Sequence, residues 1–341
     1  MPAQNEFALI ERIRRALPSL AGAGRGEARL GIGDDAAVAR PRRGRELVIS
    51  TDQFLEGRHF LVRRHPADSV GYKALARATS DLAAMGAAPL YFFMTLALPV
   101  GRTGTWLDEF LRGMARAARE FKMILLGGDL ARQRTVAISI TVVGEVLPGE
   151  AVARSGARPG HAIFVSGTLG RAQLGLRTFL HSGSLAAESA SAAPGAAAEA
   201  LRAHLYPQPR LALGQWLAHK GLASSMIDVS DGFSTDLGHI CEASGVGARV
   251  SIGLLPTTPM TALAAELGLD SLALGLHGGE DYELLFTVPA RLAAKIPTRF
   301  GNLKITRIGE ITRRRKILLL SASGRTRPLV VRGWDHFRSR A

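Results

Sequence analysis

A single cysteine, Cys241, stands in 341 residues. No intrachain disulfide can brace the fold, and a reducing cytoplasm is the expected setting. A lone thiol is more often core filler than nucleophile. Lysine is also scarce, at six of the 43 basic residues, the other 37 being arginine. No Gly-Lys pair occurs anywhere, which removes the GxxxxGK[ST] phosphate loop. Long apolar runs are missing too. APLYFFMTLALPV, from Ala87 to Val100, falls short of the roughly 20 residues that a bilayer span needs, so no membrane partner is expected. The N-terminal MPAQNEFALIERIRRALPSL interleaves Glu6, Glu11, Arg12, Arg14 and Arg15 with apolar residues. It reads as an amphipathic helix and not as a secretory signal. The formal charge of +14 would suit a nucleic-acid partner if it were clustered. The basic residues are instead scattered, in short groups at Arg12–Arg15, Arg40–Arg45 and Arg313–Lys316 without aromatic interleaving. That reads as solvated surface, with no nucleic-acid partner.

What is present is a chain with 47% hydrophobic and 21% charged residues, long enough for two globular domains. Strand-like ELVISTD, a helix from about Asp68 to Gly86, strand-like LYFFMTLALP and a helix through Trp106, Phe110, Met114 and Phe121 follow one another, ahead of MILLGGD and TVAISITVVGEV. This is α/β (α+β-like) patterning. A turn near Gly149 separates expected domains at 1–149 and 150–341. HSGSLAAESASAAPGAAAEA lacks large apolar residues after Leu185, so 182–200 is expected to be a flexible surface insertion. LLGGD and HGGED echo each other, but no repeat period connects them.

The informative residues are acids. LGIGDD carries Asp34 and Asp35, LVISTD ends on Asp52, MILLGGD on Asp129, and SSMIDVSD holds Asp228 and Asp231. Each follows a strand-like run and is expected at a strand end, where α/β proteins assemble ligand sites. One such acid is ordinarily a turn or N-cap residue; four motifs favour convergence. Two carboxylates ~4 Å apart repel by about 4 kcal/mol at an effective dielectric near 20, so convergence demands a cation. Mg²⁺ held by carboxylates while bridging phosphates fits, and points to a nucleotide triphosphate. Asp81, among small and apolar residues of YKALARATSDLAAMGA, requires a hydrogen-bond donor or a metal. Gly31 to Ala36 fits GxGxxA, but AAVARPRRGRE cannot supply the crossover helix of a dinucleotide fold, and two aspartates would face the pyrophosphate.

Taken together, GIGDDAAV, STDQFLEGRHF, YKALARATSDLAAMGAAP, LLGGD, ARSGARPG, IDVSDGFSTDLGHI, GGEDYELLFT and GWDHF resemble the thiamine-monophosphate kinase family over nearly the whole chain. That family shares a superfamily with aminoimidazole-ribonucleotide synthetase and selenophosphate synthetase, which use ATP without a P-loop. The resemblance implies a two-domain aminoimidazole-ribonucleotide synthetase-like fold. The N-terminal domain would bind ATP and Mg²⁺ and pair through its sheet in a homodimer, and the C-terminal α/β domain would complete the active-site cleft. It implies direct in-line, Mg-assisted phosphoryl transfer from ATP to thiamine monophosphate, giving thiamine diphosphate. Carried over by position, Asp35, Ser50, Thr51, Asp52, Asp81, Asp129, Asp228 and Asp231 match the Mg²⁺ ligands, with Asp35, Asp52, Asp129 and Asp231 central to catalysis. Gly128, Asp129, Arg154 and Ser230 match nucleotide contacts, and His59, Glu280 and Trp334 match positions lining thiamine monophosphate. The chain departs from the family at His161, in place of Asp in RPGD, and at Leu130, where Thr is common after GGD.

Two alternatives stand beside this reading. One is another ATP-dependent superfamily member acting on a different phosphorylated metabolite. Selenophosphate synthetase is disfavoured, because Cys241 lies in the second half and not near the N-terminus. The other is a non-catalytic, basic nucleic-acid-binding protein, which the intact oxygen-donor set opposes.

Overall fold

The computed structural model describes residues 6–17, 27–32, 36–182, 195–257 and 261–333. The chain divides into two compact units, Met1–Leu82 with Ala87–Gly149, and Ala83–Gly86 with Glu150–Ala341.

Unit 1 runs α1 (Glu6–Ala16), β1 (Glu27–Leu30), β2 (Val38–Arg40), β3 (Glu46–Leu55), α2 (Ala67–Ala84), β4 (Ala88–Leu98), α3 (Thr105–Phe121), β5 (Ile124–Arg132) and β6 (Ala137–Val146). β1 and β2 pair antiparallel. Antiparallel neighbours are not joined by a βαβ crossover, which sets aside the dinucleotide-fold alternative. The main sheet has the order β3-β6-β4-β5, parallel only between β4 and β5, whose crossover is α3. α2 lies on one sheet face, where a Cβ on Gly144 would meet Leu82 at 3.2 Å. α2 and α3 cross through two glycines: a Cβ at Gly71 would sit 1.9 Å from the Phe110 carbonyl oxygen, and one at Gly113 1.7 Å from that of Asp68.

Unit 2 contains β7 (Ala162–Ser166), α4 (Arg171–Ser182), α5 (Ala196–Leu205), α6 (Leu211–His219), β8 (Ser225–Asp228), α7 (Phe233–Ser244) and β9 (Gly247–Ser251). It continues with α8 (Thr261–Glu266), α9 (Ser271–His277), β10 (Leu284–Val288), β11 (Arg299–Phe300), β12 (Leu303–Thr312), β13 (Ile317–Leu320) and β14 (Thr326–Pro328). The sheet order is β14-β13-β9-β12-β7-β10-β8, with β11 on β12, and it is antiparallel except between β9 and β13. β7 and β10 are buried along their whole length. Alternate residues serve two cores: Ile163 and Val165 pack with Phe233 and Leu237, whereas Ala162 and Phe164 pack with Leu213 and Leu217. This explains the continuous apolar run AIFV, since a strand covered on both faces loses its polar alternation.

Two expectations need correction. Asp52 and Asp129 do not end their strands, because β3 continues to Leu55 and β5 to Arg132. Asp52 is tolerated there because a helix supplies its partner, and Asp129 because it is exposed. The second correction concerns 182–200. Its part at 183–194 lies outside the described residues, but α5 begins at Ala196 and buries Ala198 and Ala200. A Cβ on Gly175 of α4 would stand 2.0 Å from the Ala200 carbonyl oxygen. Small side chains here permit close helix packing, which low complexity concealed.

Candidate active site

In unit 1, strand alternation sorts the candidates onto two faces. Ser50 and Asp52 point toward α2. Ser50 Oγ donates to Asp81 Oδ2 at 2.5 Å, and Arg77 Nε and Nη2 donate to Asp52 Oδ2 and Oδ1 at 2.9 and 3.1 Å. The donor required for Asp81 is thus Ser50. Thr51 lies on the other face, where its hydroxyl bonds that of Thr141 at 2.7 Å. Asp129 shares that face, paired in register with Thr95. Gly128 serves the sheet itself: a Cβ there would meet the Met94 carbonyl oxygen at 1.9 Å. His59 sits in the tight turn after β3, its Nδ1 accepting from the Leu55 amide at 3.0 Å and its ring 5.7 Å from that of Phe54. Asp35 and Trp334 lie outside the described residues.

In unit 2 the sequence-distant motifs form one knot. β8 ends on the buried Asp228, and the following loop is laced to GGEDYE: the Glu280 amide donates to the Ser230 carbonyl at 2.8 Å, and the Tyr282 amide to that of Val229 at 2.9 Å. Gly279 allows this approach, since a Cβ would lie 2.5 Å from the Ser230 oxygen. Glu280 and Tyr282 both adopt positive φ, 67° and 50°, strain that a non-glycine residue holds only where surrounding contacts enforce it. The Glu280 carboxylate lies 3.4 Å from Nδ1 of the buried His204. Arg154 is exposed on a segment beside β8, where the Ala153 carbonyl accepts from the Met226 amide at 3.0 Å.

Sequence reasoning overlooked several residues here. Asp236, in the first turn of α7, accepts from the Gly232 amide at 3.1 Å, and burial together with the Asp228 and Asp231 charges drives its carboxyl well above the usual range. Oxygen and nitrogen ligand atoms of Asp231, Asp236 and His239 lie within 4.8 Å of one another. The signal was available, as the fifth residue after Asp231 places Asp236 at a helix start. Glu283 is buried, accepting from Ser166 Oγ at 2.6 Å and from Arg210 at 2.7 and 2.5 Å. Asp281 caps α4, accepting from the Gly170 and Ala172 amides at 2.5 and 2.9 Å. With two carboxylates and one imidazole, the Asp231, Asp236 and His239 group suits a hard divalent cation better than a soft one. Among the described residues no helix is long and apolar enough to cross a membrane.

Comparison with known proteins defines the class first. The family model "AIR synthase related protein, N-terminal domain" matches residues 33–146 and its C-terminal counterpart residues 158–319. Within that class, the thiamine-monophosphate kinase of Escherichia coli strain K12 is 38% identical over 98% of this chain and 99% of its own. The crystal structure of thiamine-monophosphate kinase from Stenotrophomonas maltophilia K279a superposes with a TM-score of 0.80 at 36% identity, covering 92% of this chain and 96% of that one. AaThiL complexed with AMPPCP and TMP gives a TM-score of 0.75 at 28% identity over 97% of both chains. The chain belongs to the thiamine-monophosphate kinase family.

Proposed function

We propose that this protein transfers the terminal phosphoryl group of ATP to thiamine monophosphate, forming thiamine diphosphate. The observation that carries this reading is the end-to-end similarity to a chain complexed with AMPPCP and TMP, over 97% of each. On the family resemblance, Asp35, Ser50, Thr51, Asp52, Asp81 and Asp129 in unit 1 and Asp228 and Asp231 in unit 2 would hold Mg²⁺; the closeness of Asp231 to Asp236 and His239, with ligand atoms within 4.8 Å of one another, supports the unit 2 part of this reading. When bound, Mg²⁺ would offset negative charge on the transferring phosphoryl group. The chain's own task is positioning. A phosphate monoester loses its second proton near pH 6, so the acceptor is already anionic at neutral pH and no strong general base is needed. Gly128, Arg154 and Ser230 would contact the nucleotide, and His59 and Glu280, with Trp334, the acceptor. The strained φ of Glu280 supports a ligand-facing role for its loop.

We also assign the exposed β3 part of the unit 1 sheet face turned away from α2 to a homodimer contact. Leu47 and Ile49 are 44% and 62% exposed on it, an apolar surface that a second copy would cover.

The test is formation of thiamine diphosphate by the purified protein from thiamine monophosphate, ATP and Mg²⁺. Turnover should require the metal and the monophosphate, with free thiamine inert. ATP binding without product would move the acceptor to another phosphorylated metabolite, and absence of ATP binding would end the kinase reading.

A further inference from the structure

Arg77 and Asp81 stand four residues apart on α2, and Ser50 and Asp52 two apart on β3. A helix rises about 6 Å over four residues and a strand about 6.6 Å over two. The two spacings match, so two side-chain pairs form side by side between the elements. One is Ser50 with Asp81, at 2.5 Å. The other is the two-point contact of Arg77 with both carboxylate oxygens of Asp52, at 2.9 and 3.1 Å. The guanidinium also lies over the Phe54 ring, 5.1 Å from its centroid. Its side chain is 12% exposed and that of Asp52 29%. A cation therefore already sits at Asp52, held by a bidentate pair and a ring, and arginine cannot discharge itself by losing a proton.

We propose that Arg77 is a resident counter-cation of the neighbouring acids Asp52 and Asp81, competing with the divalent metal for Asp52 and so setting the affinity of that site. This deepens the kinase reading and rests on its assignment of Asp52 as a metal ligand. Without metal, Arg77 offsets the charge of Asp52 beside that of Asp81, which would otherwise repel. With metal, Asp52 must exchange a two-point guanidinium contact for coordination, and this exchange weakens binding. An arginine serving only to pack α2 against β3 would act in the opposite direction. Its loss would loosen the donor set and weaken metal binding.

The experiment titrates Mn²⁺ alone, without nucleotide, into the wild-type protein, Arg77→Met and Asp52→Asn, with thermal melting in EDTA and in saturating Mn²⁺. Arg77→Met should bind Mn²⁺ about tenfold more tightly. It should also melt at lower temperature in EDTA and gain more from Mn²⁺ than the wild type does, because binding to the native state stabilises it. Asp52→Asn should weaken Mn²⁺ binding by about tenfold or more. Unchanged or weaker binding by Arg77→Met, with Asp52→Asn impaired, overturns the role of Arg77 and leaves Asp52 a ligand. Unchanged binding by Asp52→Asn removes the premise, and the proposal with it. Should Arg77→Met fail to fold, Arg77→Lys carries the test: the charge stays but the fork is lost, so several-fold tighter Mn²⁺ binding supports the proposal and unchanged or weaker binding overturns it.

Discussion

Asp281 combines enclosure with two amide donors. Burial pushes its carboxyl from 3.8 up to about 7, against the downward pull of the Ala172 and Gly170 amides. The native state then keeps a proton that the unfolded chain releases near pH 4. Its contribution to stability is full below that pH and is lost as pH rises through about 7. Asp281→Asn, which cannot ionise, should therefore gain stability relative to wild type between pH 4 and 7. The steepest slope would approach about 1.4 kcal/mol per pH unit. Urea unfolding of both proteins across that range reads this directly, and parallel curves would mean that Asp281 titrates normally. Asp52→Asn should lower kcat on the order of 100-fold or more, as expected when transition-state charge loses its support, with the circular dichroism unchanged. An undiminished kcat would remove Asp52 from the metal set. Residue identity was readable for both acids, but their partners were not. Arg77 stands 25 positions from Asp52, and Gly170 stands 111 from Asp281.

Among elements, the α2–α3 crossing makes the sharpest demand on sequence. In an open helix, Gly113→Ala would help by about 1 kcal/mol through propensity. Here the new methyl would overlap the Asp68 carbonyl at 1.7 Å, so the helices must separate. The expected net result is a loss of about 2 kcal/mol, typical of an overfilled contact, seen as a lower urea midpoint. A raised midpoint would mean that the crossing relaxes freely. α5 teaches the same lesson from the other side. Alanine-rich low complexity read as insertion, yet Ala198 and Ala200 are buried, Ala200 in one cluster with Leu174 of α4. Smallness allows close packing, but only the presence of Gly175 opposite makes it happen. Strand alternation was legible in principle, because a period of two along LVISTDQF separates Ser50 and Asp52 from Thr51. The covered face could not be chosen without α2.

For the whole molecule, the proposed dimer makes a simple prediction. Ile49→Arg puts charge into the exposed apolar β3 part of the unit 1 sheet, and should shift the protein toward monomer in sedimentation velocity, leaving its circular dichroism intact. A protein whose wild type sediments as a monomer, or whose variant keeps the dimer, would show that this face is not the contact. The strongly basic surface has no such specific reading, since ion pairs such as those of Arg14 and Arg15 with Glu11 are exposed and contribute little individually.

The local motifs, the α/β class and the family were all legible in the linear chain. Short contiguous segments carry turn chemistry, periodicity and ligand types within a few residues. What only tertiary structure decided was company. Backbone hydrogen bonds join residues 229 and 230 to residues 280 and 282, and β8 pairs with β10 rather than with a sequential neighbour. A guanidinium from α2 reaches Asp52. Each depends on long-range register and helix placement, which arise from burying apolar area on particular faces and leave no mark at any fixed spacing in the sequence.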